Sequence, residues 1–121
     1  MPLVVTPKRL AGGAAAIAFT WAAVRTNSPL PLVVAVNSAM HHVLYPSSRL
    51  WFAADVGYNV VMITWHALRS AYVMRWAPGF ALGWAAGHAW GGCTTWPGAI
   101  AHVCLCQLPA AYVITHMHDN D

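Results

Sequence analysis

Leu50-Trp51-Phe52-Ala53-Ala54-Asp55-Val56-Gly57-Tyr58-Asn59-Val60-Val61-Met62-Ile63-Thr64-Trp65-His66-Ala67-Leu68, held between Arg49 and Arg69, is the stretch on which the fold turns. As a helix at 1.5 Å per residue it rises about 28 Å, close to the roughly 30 Å of a bilayer's hydrocarbon core. Asp55, Asn59, Met62, His66 and Arg69 follow one another at intervals of four, three, four and three. At 100° per residue they fall within about 80° of one face, and most of the remaining residues are apolar. A charge near a bilayer centre costs at least about 2.5 kcal/mol, so such groups face protein or a water-filled cavity. The stripe therefore turns away from lipid. It reads as a structural seam, with Asp55 paired to an Arg or His of a neighbouring chain and Asn59 bonding across helices. The alternatives are a buried cofactor, quinone or proton site served by His66, or a face covered by a soluble domain.

Composition agrees with burial in lipid or protein. Apolar residues make up 59% of the 121 and charged residues 7%, where an ordinary soluble surface alone is about 25–35% charged. The chain contains no Glu, one Lys (Lys8) and three Asp (Asp55, Asp119, Asp121). A free soluble monomer is disfavoured, and so is disorder, which needs low hydrophobicity and high charge. Only Lys8-Arg9 is an adjacent basic pair, against the clustered bases that nucleic acid needs. With Asp55 the one acid away from the C-terminal residues, paired-carboxylate catalysis within the chain is out of reach. No nucleophile elbow, phosphate loop or His-Glu-x-x-His is present, and the chain reads as a non-enzyme.

Outward from the deciding stretch, Leu10–Val24 follows Lys8-Arg9 in the manner of a basic n-region and an apolar h-region. It is read as a retained first helix over 10–24, an uncleaved signal anchor. Thr26-Asn27-Ser28-Pro29 breaks the chain. Residues 30–46 carry Asn37, Ser38, His41 and His42 between prolines, which suits an interfacial or re-entrant segment with the His pair at headgroup level better than a full span. The central helix is expected over 50–75, stopped by Pro78. A further helix is expected over 79–92, and a last one over 98–116 with a kink or break near Leu105–Leu108 ahead of Pro109. Trp51, Trp65 and Trp76 lie where membrane interfaces favour Trp. The polar tail His116–Asp121 should emerge into water. Period-two alternation is not sustained, so strands are not expected.

Gly79, Gly83, Gly87 and Gly91 recur every fourth residue. Each Gly costs roughly 1 kcal/mol against Ala inside a helix, and close approach of a second helix compensates. Alternatively a ligand or pigment lies on that flat surface beside His88. His102, Cys104 and Cys106 lack the paired spacing of a zinc site, and the three cysteines read as small buried side chains. No metal is expected.

Trp65-His66-Ala67-Leu68-Arg69-Ser70 resembles the His-to-Arg segment in membrane anchors of succinate dehydrogenase, which hold haem and quinone. The resemblance covers these residues alone. The Gly that usually precedes the Arg and the His that follows it are absent here. It implies His66 and Arg69 as cofactor-binding residues. Of the pairs that could hold a haem, His66 with His102 is geometrically easier than His66 with His88.

The expectation is one all-α integral membrane domain over 1–121, a helical bundle of about four transmembrane helices, with three to five possible. Both termini then lie on the inner face by the positive-inside rule. The expected role is a non-catalytic accessory subunit of a larger membrane complex, an organellar energy-converting one, in the mitochondrial inner membrane or another organellar membrane. Its partners would be lipid and other membrane subunits, with no nucleic acid. A haem- or quinone-binding redox anchor is the first alternative, and a small membrane or capsid-associated protein of a viral particle the second.

Overall fold

The structure, a computed structural model, describes residues 4–121, and these form helices joined by short turns, with no strand among the described residues. α1 is Pro7–Thr26, α2 Pro29–Leu44, α3 Arg49–Arg69, α4 Ala71–Ala89, α5 Trp96–Thr115 and α6 Met117–Asn120. The local chemistry at each start is the same. Thr6, Ser48, Ser70 and Thr95 each accept a hydrogen bond from the backbone N–H three residues on, satisfying one of the donors a helix start leaves open. Ser28 precedes α2 without such a bond. α1 ends at Asn27, whose left-handed conformation (φ 53°) turns the chain tightly into α2.

The five long helices run alternately up and down. α1 packs chiefly on α2 and α5, α2 on α3, α3 on α4 and α4 on α5, closing a ring. The N-terminal segment lies at one end, where the Lys8 ammonium donates to the Pro46 carbonyl. Asp121 lies at the other, where it meets Ser70 and Tyr72. The two described chain ends are therefore at opposite ends of the bundle, which corrects the expectation of a shared face. It follows from residues 29–44 forming a full helix packed along α1. Lys8, Arg9 and Arg49 fall at the first end, and Arg25, Arg69 and Arg75 toward the second.

Three helix boundaries differ from the sequence reading. The helix expected over 50–75 is two, split at Ser70, which is extended (φ −138°, ψ 117°). Pro78 does not stop the chain. It lies inside α4, where Val73 and Phe80, seven residues apart, both insert into the core on either side of it. The 79–92 helix is thus the second half of a longer one, and Gly91 lies beyond its end. In the 98–116 helix, Pro109 lacks the N–H that would bond the Leu105 carbonyl. The chain absorbs this as a π turn over Val103–Gln107, with Leu108 N bonded to Val103 O. A second π turn, Met40–Leu44, ends α2.

Phe19, Val34, Met62, Val73 and Ile114 fill the core on the Asp121 side of the bundle, each essentially inaccessible. Outside, Ile17, Val36, Val60, Leu82 and Ile100 are exposed, as are all the tryptophans except Trp51. One helix, Trp96–Thr115, is long and apolar enough to cross a membrane, and Pro29–Leu44 is a shorter apolar helix.

Candidate functional site

The half of the bundle nearer Lys8 is built differently. Asp55, in the second turn of α3, is buried and held on all sides. Ser38 Oγ donates to its Oδ1 at 2.8 Å, and His42 Nε2 lies 3.2 Å from its Oδ2. Asn59 Nδ2 donates to Oδ1 at 3.3 Å and to the Asp55 carbonyl at 2.7 Å. The His expected from a neighbouring chain is thus supplied by α2 of the same chain, and Asn59 bonds along its own helix rather than across to another.

The π turn that ends α2 turns His41 and His42 inward, correcting their expected headgroup position: they are 4% and 6% exposed. Their rings lie 4.6 Å apart, and His41 stands edge-on to Phe52 at 5.3 Å. α1 can approach them because residue 12 is Gly, where a Cβ would overlap that of His42. A pattern in the sequence carried this signal. Ser38, His41 and His42 are three and four apart and make a polar stripe on α2 that matches the one on α3.

Two cavities meet at Asp55. One, of about 370 Å³, lies between α3 and α4, with Ser38, Asp55, Asn59, Thr64, His102 and Gln107 as its polar lining and Phe19, Phe80 and Trp84 among its apolar walls. The other, of about 290 Å³, runs toward Lys8 past His41, His42, His88 and Cys93. They share Asp55, Val56, Trp84 and His102. Gln107, which the sequence reading passed over, reaches the first cavity from the π turn of α5. Its Oε1 is buried with no hydrogen-bond partner among the described residues, as are His41 Nδ1, His42 Nδ1 and Asn37 Nδ2. Such a group costs about 1–3 kcal/mol; the two His atoms lie in this half, and Asn37 and Gln107 lie near the middle of their helices. Cys93 sits in the turn Gly92–Thr94. Burial, with the Asp55 charge adding to it, pushes its thiol up to about 11, which leaves it protonated and unreactive at neutral pH.

The remaining sequence candidates disperse. His66 is buried near the opposite end, its Nδ1 2.7 Å from the Met62 carbonyl and its Nε2 3.5 Å from Ser28 Oγ. Both ring nitrogens face protein groups, and His102 lies in the other half, so the pair does not fit a shared haem iron. Arg69 leaves the stripe altogether. It is exposed and its guanidinium sits 3.3 Å from the Trp65 ring centroid, a cation–π contact. The glycine series divides. At Gly83 a Cβ would overlap the Leu105 carbonyl, the group that Pro109 leaves unbonded. At Gly87 it would press on His102 at 3.3 Å. Gly79 has open space around it, and Gly91 is needed for its own backbone (φ 100°). Gly98, outside the series, lets the Gly92 backbone pass. Cys104 is exposed and Cys106 half-buried. Among the described residues no group of three or more His, Cys, Asp or Glu is placed to hold a metal ion.

Compared with family models, with curated proteins and with solved structures, the chain matches none.

Proposed function

We propose that the chain is a membrane-embedded bundle of five spans that serves as a non-catalytic structural subunit of a larger membrane assembly. One observation carries the reading: the outward surface midway along the helices is apolar, and the charged side chains stand toward the ends. Ile17, Val36, Val60, Leu82 and Leu105 face outward in that belt, while Asp55, the one charge away from the ends, is turned inward onto His42. The long helices rise about 24–32 Å at 1.5 Å per residue, near the thickness of a hydrocarbon core. Trp21, Trp65 and Trp76 lie toward one end and Trp51, Trp90 and Trp96 toward the other, as interfacial aromatic belts do. Helices such as α3 average less apolar than a lone span because their polar residues point into the bundle, and hydropathy averages over every face.

Surrounding subunits would cover the apolar belt that lipid does not. The test is carbonate extraction of native membranes, then mild-detergent solubilisation, a native gel and an absorption spectrum of the band containing this chain. Retention in the membrane pellet and migration in a large multi-protein band, with no absorbance traceable to this chain, is the expected result, and the band identifies the host, which we expect to be an organellar energy-converting complex. Release by carbonate overturns the membrane reading. Migration as a lone subunit overturns the structural role.

A further inference from the structure

We propose that the cavity between α3 and α4 is a binding site for a small lipophilic amine, its ammonium at Asp55 and its apolar body against Phe80 and Trp84. The cavity belongs to the bundle itself, whatever surrounds it. Its volume of about 370 Å³ lies within the range of small-molecule pockets, which are mostly apolar with a few convergent polar groups. This one has that form, mostly apolar, with Ser38 and Asn59 bonded to Asp55 and with Thr64, His102 and Gln107 also lining it.

The polar groups select the head. Asp55 Oδ1 already accepts from Ser38 and Asn59, whereas Oδ2 faces only His42, so a carboxylate oxygen has a lone pair unclaimed. Gln107 is 5% exposed, and its Oε1 has no partner among the described residues. An ammonium brings several N–H donors on one atom, which suits a cavity that both acceptors line. No Lys or Arg lines this cavity, so its single acid has no fixed cation there beyond what His42 supplies. The aromatic faces of Phe80 and Trp84 add an attraction for a cation that a neutral head would not feel. The mouth suits an apolar body. Val60, Ala81 and Trp84 are lining residues exposed on the outer surface, so entry is sideways between two helices and past apolar side chains. π turns are frequent at functional sites, and here one aims His42 at Asp55 and the other aims Gln107 into the cavity.

The probe is 2-(4-fluorophenyl)ethylamine, followed by fluorine NMR on the detergent-solubilised full chain, with 2-(4-fluorophenyl)ethanol as its neutral counterpart. Saturable binding of the amine is expected, at least tenfold tighter than that of the alcohol. Asp55→Asn should weaken the amine at least tenfold and leave the alcohol nearly unchanged. Ala81→Trp, at the exposed mouth and therefore tolerant of a large side chain, should abolish both. Equal binding of the two probes overturns the cationic head. Amine binding that survives Ala81→Trp in a folded protein overturns the site, as does the absence of saturable binding.

Discussion

The two halves of the bundle solve the same packing problem by opposite means. Toward Asp121 the helices meet through large apolar side chains, Phe19, Val34, Met62, Val73 and Ile114, with nothing to satisfy but shape. Toward Lys8 they meet through glycines and hydrogen bonds. Gly12, Gly83, Gly87 and Gly98 let backbones and His side chains close up, and Ser38, His42 and Asn59 gather on Asp55. An open apolar groove lined by Ile17, Trp21, Ala111 and Tyr112 runs along the outside of the first half. In the second, two cavities meet at Asp55, and His41 and His42 each bury a ring nitrogen that has no partner among the described residues. Stability therefore concentrates in one half and specificity in the other.

The largest expected effect breaks the apolar half. Phe19→Ala removes a fully buried ring and should destabilise the bundle by about 3–5 kcal/mol, read as a shift of the unfolding midpoint in a denaturing detergent titration. Asp55→Asn, in the polar half, should lose less, about 1–3 kcal/mol, because an amide oxygen still accepts from Ser38 while the attraction to His42 is lost. Should Asp55→Asn prove the more damaging, the division of labour between the halves is reversed.

A sharper comparison lies within one helix. Gly83→Ala drives a Cβ into the Leu105 carbonyl and should destabilise by about 1–3 kcal/mol, the usual range for overpacking. Gly79→Ala, one turn away with open space around it, should stabilise by up to about 1 kcal/mol through helix propensity alone. The same titration reads both. Equal effects would mean that the glycines are compositional rather than a contact surface.

This pair shows what the sequence discloses. Spacing alone put Gly79 and Gly83 in one series, and the two differ only in what a distant segment brings to them. The carbonyl over Gly83 is that of Leu105, in another helix and four residues before Pro109. The all-helical class, the inward face of Asp55 and the disturbance before Pro109 were legible because each is a matter of local period or of proline chemistry. The Ser70 break was not, since a serine inside an apolar run reads as a tolerated polar residue until its hydroxyl caps the next helix. Pro78 misled for the reverse reason, because Val73 and Phe80 hold the helix together across it. The partner of Asp55 was hidden by a misreading of residues 30–46. Taken as a segment between prolines, they seem too short to span, yet as a helix they lay His42 beside α3.

The smallest expected effect is at the boundary of the apolar half, where the tail returns. The residues 116–121 were expected in water, but Met117 is buried and Asp121 folds back onto the break between α3 and α4. Its Oδ1 accepts from Ser70 Oγ at 2.9 Å and from Tyr72 N at 3.1 Å. These bonds favour the ionised form, and hold the exposed carboxyl below its ordinary value, the Ser70 bond being the larger cause. A depressed pKa in the folded state makes the contact's contribution fully present above the ordinary carboxylate range, and lost as pH falls through the lower, folded value. Tail clamping should therefore be insensitive to pH near neutrality and weaken only under acid. Backbone amide shifts of Tyr72 and Asp121, followed by NMR in detergent from neutral to acid pH, should titrate together. In Asp121→Asn that titration should vanish, while the midpoint of global unfolding stays essentially that of the parent, as for an exposed surface substitution. A shift of Tyr72 that persists in the variant would assign the titration to His116 or His118 instead, and would detach the tail from the break at Ser70.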